Sequence, residues 1–446
     1  MATYKNKGIK EAVKKLLRPL VSYIPNYYRY GKIYKYKVKE LSTVKNKNIE
    51  KEQLEKIKRI VKHAYDTVPY YKNLLDKNNI NPEITTFKEF EKIPFLTKDI
   101  LRENLEEIIS SKNIKKIKVT TGGTTGMPME LYVDLDNFTI ERAYVDYHWS
   151  KVGFKNKGIN KIAVLRGTIP EGQQLFQQIG STLIMSSFKL NDITAPEYLK
   201  KIEVFNADFI HIYPSSLHIL AKYITQNKIK LRLPKLKYIL SSSETLYEFQ
   251  KKEIKKAFGV DVCDLYGHTE HAVIAFSYFA GDPYHIDPTY GYTELIGKGQ
   301  NLIDGEGIEG EIVATGFNNW GMPLIRYKTE DRAISGKNRL EFKQILGRKQ
   351  EYFVGKNKEN LVFTCSDEPF WGVEKKIEAY QYVQEKEGVI NLNLIKKREF
   401  LKEEETQIKK VFKTIYPDLD LNINYVSDIK RTKSGKYRYL IQKLKI

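Results

Sequence analysis

Short apolar runs alternate with amphipathic segments through the middle of the chain. Residues 162–165, 209–212 and 238–240 have the length and composition of buried strands. Between them, residues 196–205 and 246–258 show the spacing of helices that bury one face. This alternation predicts α/β layers.

The pattern changes twice towards the carboxyl end. Residues 284–332 consist of strand-like runs separated by turns, and from about Ile345 charged helices and short strands follow. A chain of 446 residues is long enough for a large core domain and a smaller second one. We therefore predict a basic region over residues 1–50, a large domain over 51–346 and a small α+β domain over 347–446.

Positive charge is concentrated at the amino end. The chain carries a net charge of +20, of which residues 1–62, with 18 Lys and Arg against 5 Asp and Glu, supply +13. Apolar residues recur at helical spacing between Ile9 and Ile24, with Lys and Arg at other positions, which predicts a basic amphipathic helix. The helix could dock on its own domain or contact an anionic membrane surface. Nucleic-acid binding is a third reading, but no nucleic-acid-binding motif accompanies the charge, so no such partner is expected.

Cysteine content and hydropathy indicate the cell compartment. The two cysteines, Cys263 and Cys365, cannot staple a chain of this length and are not spaced as metal ligands. No run reaches the roughly 18 apolar residues of a membrane-spanning helix, and the amino end has no signal-peptide core. We expect a cytoplasmic protein, either free or at the inner face of the membrane.

A glycine- and threonine-rich hairpin is the most informative local feature. It lies between strand-like runs at residues 116–119 and 129–133. Glycine lets backbone N–H groups approach an anion closely, and threonine hydroxyls add donors, which suits a nucleotide triphosphate. A hairpin without a ligand is the alternative; a Walker loop is excluded because no Lys follows and the next element is a strand. The predicted phosphate-binding residues are Thr121, Gly122, Gly123, Thr124, Thr125 and Gly126.

A second glycine pattern has a different meaning. Gly305, Gly307 and Gly310 spell G-x-G-x-x-G, but acidic residues lie between them and the following segment has the pattern of a strand. A dinucleotide site requires a helix there, with its positive end towards the pyrophosphate. We therefore interpret these glycines as a turn.

Further polar motifs follow in sequence order. Residues 265–270, Leu-Tyr-Gly-His-Thr-Glu, offer an aromatic face, a hydroxyl and a carboxylate suited to a hard cation. Residues 241–244, Ser-Ser-Ser-Glu, could form a turn or a helix N-cap. Residues 321–331 end on Asp331, whose carboxylate could accept hydrogen bonds from two hydroxyls. Residues 431–438 place Ser-Gly before Lys436 in a basic tail.

Taken in this order, the motifs resemble those of the adenylate-forming enzymes, the superfamily of acyl-CoA synthetases. Within it, the chain is most similar to phenylacetate-CoA ligases and to the CapK-type proteins of capsular polysaccharide biosynthesis, from about Leu54 to the carboxyl terminus. The resemblance implies an α/β fold with a large multi-layer amino-terminal adenylation domain, which binds ATP and the acid. A small α+β domain would move and deliver a catalytic lysine.

The resemblance also implies roles for single residues. Tyr266 would stack on adenine, Thr269 would contact the α-phosphate and Glu270 would hold Mg²⁺. Lys436 would be the catalytic lysine and Gln350 the hinge. The remaining nucleotide-binding residues would be Ser243, Glu244, Gly267, Asp331 and Arg348.

Three positions depart from the family pattern, and the acyl pocket is placed less directly. Met127 and Gln350 replace residues that are usually charged, and Glu330 replaces a glycine. From their proximity to the motifs, the acyl pocket is expected to include Tyr144, Tyr147, Tyr213, Ser215 and His268, with core packing as the alternative role.

These expectations combine into a predicted reaction. An adenylate-forming ligase would activate a small carboxylic acid with ATP and Mg²⁺ as acyl-AMP and transfer it to a thiol, amine or sugar hydroxyl, CoA being one candidate acceptor. The first hypothesis is a CapK-like role in capsular or surface polysaccharide biosynthesis. An aryl-acid CoA ligase is the second, and a catalytically silent nucleotide-binding protein is the third.

Overall fold

The computed structural model describes most of the chain. The described residues are 19–43, 48–120, 129–166, 169, 174–348, 352–357, 360–362, 368–370, 373, 376–397, 400–429 and 437–444.

Helices cluster in the amino-terminal half of the described chain. Their sequences explain several ends: Asn48 accepts a hydrogen bond from the Lys51 N–H at one helix start, and Gly259 ends another helix with φ of 72°. The helices are α1 Asn26–Arg29, α2 Gly31–Thr43, α3 Ile49–Thr67, α4 Pro69–Lys77, α5 Phe87–Phe90, α6 Lys98–Glu103, α7 Leu135–Ser150, α8 Ala195–Phe205, α9 Pro214–Gln226, α10 Glu248–Phe258 and α11 Lys402–Ile415.

Strands extend from the middle of the chain to its end. They are β1 Lys116–Thr120, β2 Glu130–Asp134, β3 Ile162–Arg166, β4 Phe176–Ile179, β5 Thr182–Ser186, β6 Phe209–Ile212, β7 Tyr238–Ser242, β8 Val262–Gly267, β9 Ile274–Ser277, β10 Tyr284–Ile286, β11 Gly291–Ile296, β12 Glu309–Gly316, β13 Tyr327–Ser335, β14 Glu341–Arg348, β15 Tyr352–Val354, β16 Asn360–Val362, β17 Ile377–Lys386, β18 Val389–Lys396, β19 Asp420–Tyr425 and β20 Leu440–Gln442.

A twelve-stranded mixed sheet forms the centre of the large part of the molecule. Its order is β11-β12-β13-β14-β10-β9-β8-β7-β6-β3-β5-β4. Strands β5, β3, β6, β7 and β8 run parallel to one another, whereas β4 pairs antiparallel with β5 and the pairs from β8 to β11 are antiparallel. Strands β3, β6, β7 and β8 therefore end at one edge of the sheet.

The predicted α/β fold is confirmed. The three apolar runs become the buried strands β3, β6 and β7, and the two helical patterns become α8 and α10. The glycine pattern at residues 305–310 is a turn before β12, in which Gly305 and Gly307 have φ of 129° and 80°. Glycine, which has no Cβ, adopts such a left-handed backbone without steric strain.

A separate four-stranded sheet follows the large one. Its order is β19-β18-β17-β20, and α11 packs on it around the buried side chains of Phe353, Ile408 and Phe412. Several side-chain contacts join it to the large part: among them, the hydroxyl of Tyr439 lies 3.0 Å from Nδ1 of His218, and Lys397 forms an ion pair of 2.6 Å with Asp192.

The tyrosine-rich segment before residue 43 docks on the large part of the molecule. Helix α2 packs against α7, and the fully buried Tyr34 donates a hydrogen bond of 2.6 Å to Asp146. The Asn26 side chain donates a second bond of 2.7 Å to the same carboxylate. Residues 26–43 therefore dock on the large part of the molecule. The basic helix predicted between Ile9 and Ile24 lies mostly outside the described residues.

None of the helices α1 to α11 in the described residues combines the length and the apolar composition that a bilayer-spanning segment requires.

Candidate active site

A cavity of about 640 Å³ opens at the edge where the parallel strands end. Ligands bind at this edge in open α/β sheets because the loops that leave the strands converge there. Several predicted site residues line the cavity: Ser243, Glu244, Tyr266, Gly267, His268, Thr269, Glu270 and Asp331. They come from three segments that are distant in sequence.

Tyr266 and Asp331 form one side of the cavity. Tyr266 is next to last in β8, and Asp331 lies in the middle of β13. The phenolic hydroxyl of Tyr266 donates a hydrogen bond of 2.8 Å to Oδ2 of Asp331. This bond fixes the orientation of an aromatic ring beside a carboxylate that can accept hydrogen bonds from a ligand.

Glu270, which follows Tyr266 by four residues, is held in a defined orientation. It is nearly buried, and its Oε1 accepts a hydrogen bond of 3.0 Å from the hydroxyl of Tyr327. Its Oε2 lies 3.2 Å from Nδ1 of His268. Thr269, between these two residues, also lines the cavity. A hydroxyl and a carboxylate therefore stand side by side at this point.

The turn after β7 brings a third group to the cavity. Ser243 has φ of 73°, a left-handed conformation that is uncommon for serine. The carboxylate of Glu244 accepts hydrogen bonds from the backbone N–H of Ser215 at 2.9 Å and from its hydroxyl at 3.1 Å. Ser215 therefore fixes the orientation of the Glu244 carboxylate.

Another part of the cavity wall was not anticipated from the sequence. It contains Trp149 from α7, Arg166 at the end of β3 and His211 in β6. Arg166 Nη1 lies 3.2 Å from Nε2 of His211, and Arg166 Nη2 donates a hydrogen bond of 2.7 Å to the Ser243 hydroxyl. The available signal was that Arg166 directly follows a predicted buried strand, where parallel sheets place ligand-binding residues.

Burial controls protonation on this wall. Burial, reinforced by the nearby positive charges of Arg166 and Arg142, lowers the pKa of His211 well below its usual value. The imidazole is therefore neutral. Because a guanidinium can only donate, Nε2 accepts from Arg166 and the ring proton is on Nδ1.

A buried carboxyl also lines the cavity. Burial raises the pKa of Asp264, although the Tyr284 hydroxyl donates a hydrogen bond of 2.5 Å to its Oδ2 and opposes that shift.

Four of the five residues expected in the acyl pocket do not line the cavity. Tyr144 is fully buried, with its hydroxyl 3.0 Å from Oγ1 of Thr289. Tyr147 packs beside Lys151, Tyr213 lies beneath Arg166 with 4.8 Å between guanidinium and ring, and Ser215 holds Glu244. Proximity in sequence failed because successive residues of a helix point to different faces. His268 is the one that lines the cavity.

Some predicted residues cannot be placed. Thr121 to Gly126, Gln350 and Lys436 lie outside the described residues, and for Arg348 the described part is the backbone of β14. Strands β1 and β2, on either side of residues 121–128, pair in register from Lys116 with Asp134 to Thr120 with Glu130. Asp134 accepts hydrogen bonds from the backbone N–H groups of Trp320 and Gly321, which ties this hairpin to the segment leading to Asp331.

The comparisons with known proteins agree with this geometry. Residues 353–443 match the family described as the CapK C-terminal domain. The chain is 26% identical over 399 residues to Protein CapK of Staphylococcus aureus, covering 84% of this chain and 85% of that protein. It is 22% identical over 369 residues to phenylacetate-coenzyme A ligase of Thermus thermophilus, covering 79% and 82%.

A solved structure shares the fold over nearly the whole length. The 2-hydroxyisobutyryl-CoA ligase in its postadenylation state, in complex with an acyl-AMP, superposes with a TM-score of 0.68 at 16% identity, covering 88% of this chain and 89% of that one. The predicted resemblance to adenylate-forming enzymes is thus confirmed in sequence and in fold. Within this class the chain is similar to CapK and to phenylacetate-CoA ligases.

Glu330, one of the departures from the family pattern, adopts a backbone that favours glycine. Its φ is 65°, in the left-handed region. Side chains with a Cβ are strained there by about 1–2 kcal/mol. The carboxylate forms an ion pair of 2.6 Å with the nearly buried Lys98. The backbone conformation would therefore suit a glycine at this position, and the ion pair offsets part of the strain on Glu330.

We predict that Glu330→Gly is more stable than Glu330→Ala by about 1 kcal/mol. Both variants lose the carboxylate, so their difference isolates the backbone strain. Urea unfolding of the two variants measures it. At the exposed helical position Lys252, the alanine variant should instead be more stable than the glycine variant, because alanine favours a helix. An alanine variant at position 330 that equals or exceeds the glycine variant would contradict this account.

Proposed function

We propose that this protein activates a carboxylic acid with ATP, releases pyrophosphate and transfers the acyl group from acyl-AMP to an acceptor. The proposal is carried by one observation. Tyr266 and Glu270 from one motif and Asp331 from another, distant in sequence, line the same cavity as the turn at Ser243 and Glu244.

The chemistry needs two anions to be brought together. A carboxylate attacks the α-phosphate only when the charges of both groups are compensated and their positions are fixed. In the proposal, Tyr266 stacks on adenine, the backbone of Gly267 and the turn at Ser243 and Glu244 border the base, and Asp331 binds the ribose. The hydrogen bond between Tyr266 and Asp331 supports this assignment, because it holds both groups in one orientation.

Glu270 fits the role of a Mg²⁺ ligand. Mg²⁺ commonly uses one or two protein carboxylates together with substrate phosphates. Glu270 has one carboxylate facing the cavity, oriented by Tyr327, and no further acidic ligand is required. The bound ion would neutralise phosphate charge, and Thr269 would add a hydroxyl donor beside it.

The remaining roles are proposed from the sequence motifs. Residues 121–126 would hold the triphosphate, Arg348 would reach the ribose or phosphates, and Lys436 would stabilise charge at the α-phosphate. The small domain over residues 347–446 would turn at Gln350 to admit the acceptor. Acceptors of three kinds remain candidates: the thiol of CoA, an amine and a sugar hydroxyl.

The biological role we propose is CapK-like, in the assembly of capsular or surface polysaccharide. Similarity to Protein CapK over most of both chains supports it. An aryl-acid CoA ligase is the second candidate, favoured by the aromatic side chains of Phe138 and Trp149 in the cavity wall. A catalytically silent nucleotide-binding protein is disfavoured, since Glu270 and Asp331 both face the cavity.

We propose a cytoplasmic location at the inner face of the membrane. The excess of Lys and Arg in residues 1–62 supports contact with anionic lipid. Within the same region, apolar and aromatic side chains are exposed, among them Leu20 at 64% and Tyr28 at 59%. Such side chains insert at the boundary of head groups and acyl chains.

We predict acid-dependent exchange of labelled pyrophosphate into ATP. A panel of aryl, amino and sugar acids should contain at least one that supports exchange. Glu270→Gln and Lys436→Ala should each lower the rate by roughly 100-fold or more, because the first removes the carboxylate proposed to hold Mg²⁺ and the second removes a positive charge at the α-phosphate. Lys436→Arg should also fail, since a planar guanidinium does not replace a compact ammonium.

Matched controls keep this test specific. Glu306→Gln and Lys298→Ala change the same charges at exposed positions of the turns before β12, and both should retain exchange. Exchange that persists in Glu270→Gln and Lys436→Ala would contradict the proposed roles. Absence of exchange with every acid would favour the silent nucleotide-binding protein.

We predict binding to vesicles that contain phosphatidylserine. Replacing Lys7, Lys10, Lys14 and Arg18 by Gln should weaken it by roughly 100-fold or more, at about 1 kcal/mol per charge. Substitution is preferable to deletion of residues 1–32, because Asn26 contacts buried Asp146. The control replaces the exposed Lys228, Lys230, Lys235 and Lys298 by Gln, and co-sedimentation measures both. Equal binding by the two quadruple variants would remove the membrane proposal.

A further inference from the structure

The wall formed by Trp149, Arg166 and His211 has a function that the adenylation chemistry leaves open. These residues contact one another: the Trp149 and His211 rings are 5.3 Å apart, and Arg166 lies 3.2 Å from His211. Tyr266, Glu270 and Asp331 belong to a different set of contacts in the same cavity. The cavity thus has a nucleotide-binding group and a second polar group of another character.

The two arginines that line the cavity differ in their partners among the described residues. Arg142 forms an ion pair with the fully buried Asp146, so its charge is compensated. For Arg166, no carboxylate of the described residues forms an ion pair. Its contacts that the structure shows are to the Ser243 hydroxyl, the neutral His211 ring and the face of Tyr213. A half-buried guanidinium therefore lines the cavity with no ion pair to a described carboxylate.

The geometry of Arg166 suits an anion. A guanidinium has five N–H donors, and the described side chains use one on each terminal nitrogen. Tyr213 lies beneath the guanidinium plane and His211 and Ser243 fix its terminal nitrogens, so the fork is oriented before a ligand arrives. Planar guanidinium groups bind carboxylate and phosphate through paired hydrogen bonds.

An uncharged acyl tail would match this wall poorly. It would cover the guanidinium, remove water from it and supply no counter-charge, which is unfavourable for a buried charge. We propose that the acid activated by this protein carries a second anionic group, a carboxylate or a phosphate, and that Arg166 binds it. This proposal rests on the proposed function, since it names the class of acid for the same site.

Another occupant of Arg166 must be separated from this one. Ser243, its hydrogen-bond partner, belongs to the turn that we propose beside adenine, so Arg166 could serve the nucleotide instead of the acid. Contact with the nucleotide would raise the KM for ATP with every acid. Contact with the acid would raise the KM for dianionic acids and leave the KM for ATP unchanged.

Paired acids test the proposal in the pyrophosphate-exchange assay. The pairs are glutarate with pentanoate and 4-carboxyphenylacetate with phenylacetate, and 4-phosphonobutyrate distinguishes phosphate-type from carboxylate recognition. The wild type should prefer the dianionic member. Arg166→Met should raise its KM by about 10- to 100-fold, the loss of one charge-assisted contact, with kcat at saturation and the KM for the monoacid unchanged. Arg166→Lys should fall between, and the exposed Arg102→Met should match wild type.

Three results would overturn the proposal: a wild-type preference for the monoacids, equal losses for both members of a pair in Arg166→Met, or a raised KM for ATP with all acids. Failure of exchange with every acid would instead refute the proposed function. In that case calorimetric titration of the same diacids into nucleotide-free protein decides the matter. Binding that is lost in Arg166→Met supports the anion site, and absence of binding to wild type overturns it.

Discussion

The common direction of β3, β6, β7 and β8 is the constraint on which the site depends. Parallel strands that run in one direction end at the same edge of the sheet, so the residues at their ends lie close enough to contact one another. Arg166, Ser243 and Tyr266 are brought together in this way. The antiparallel strands beyond β8 then carry Asp331 to the same cavity, where it accepts the Tyr266 hydrogen bond.

The sequence predicted the sheet and the adenylate-forming motifs because both are local. Apolar runs such as residues 162–165 specify buried strands, and each motif is a short, continuous stretch of sequence. The acyl pocket could not be predicted in the same way. Which face of α7 meets the cavity depends on packing against α2, so Tyr144 was expected in the pocket and is buried, whereas Trp149 was not expected and lines it.

The departures from the family pattern have different explanations. Glu330 has a left-handed backbone that favours glycine and forms an ion pair with Lys98. Arg166 was overlooked because no motif marks it, although its neighbours orient it towards the cavity. Buried Asp146 connects the cavity wall to the amino-terminal segment, because it binds both Arg142, which lines the cavity, and Tyr34 in α2. The site and the docked segment therefore share one hydrogen-bond network.

A crystal structure of the protein with ATP and Mg²⁺ tests the central claim most directly, namely that distant segments enclose one adenine nucleotide. We expect the adenine ring against Tyr266, the ribose hydroxyls at Asp331, the metal at Glu270 and the triphosphate at residues 121–126. A nucleotide bound elsewhere, or one whose phosphates lie away from both Glu270 and the threonine-rich hairpin, would contradict the account.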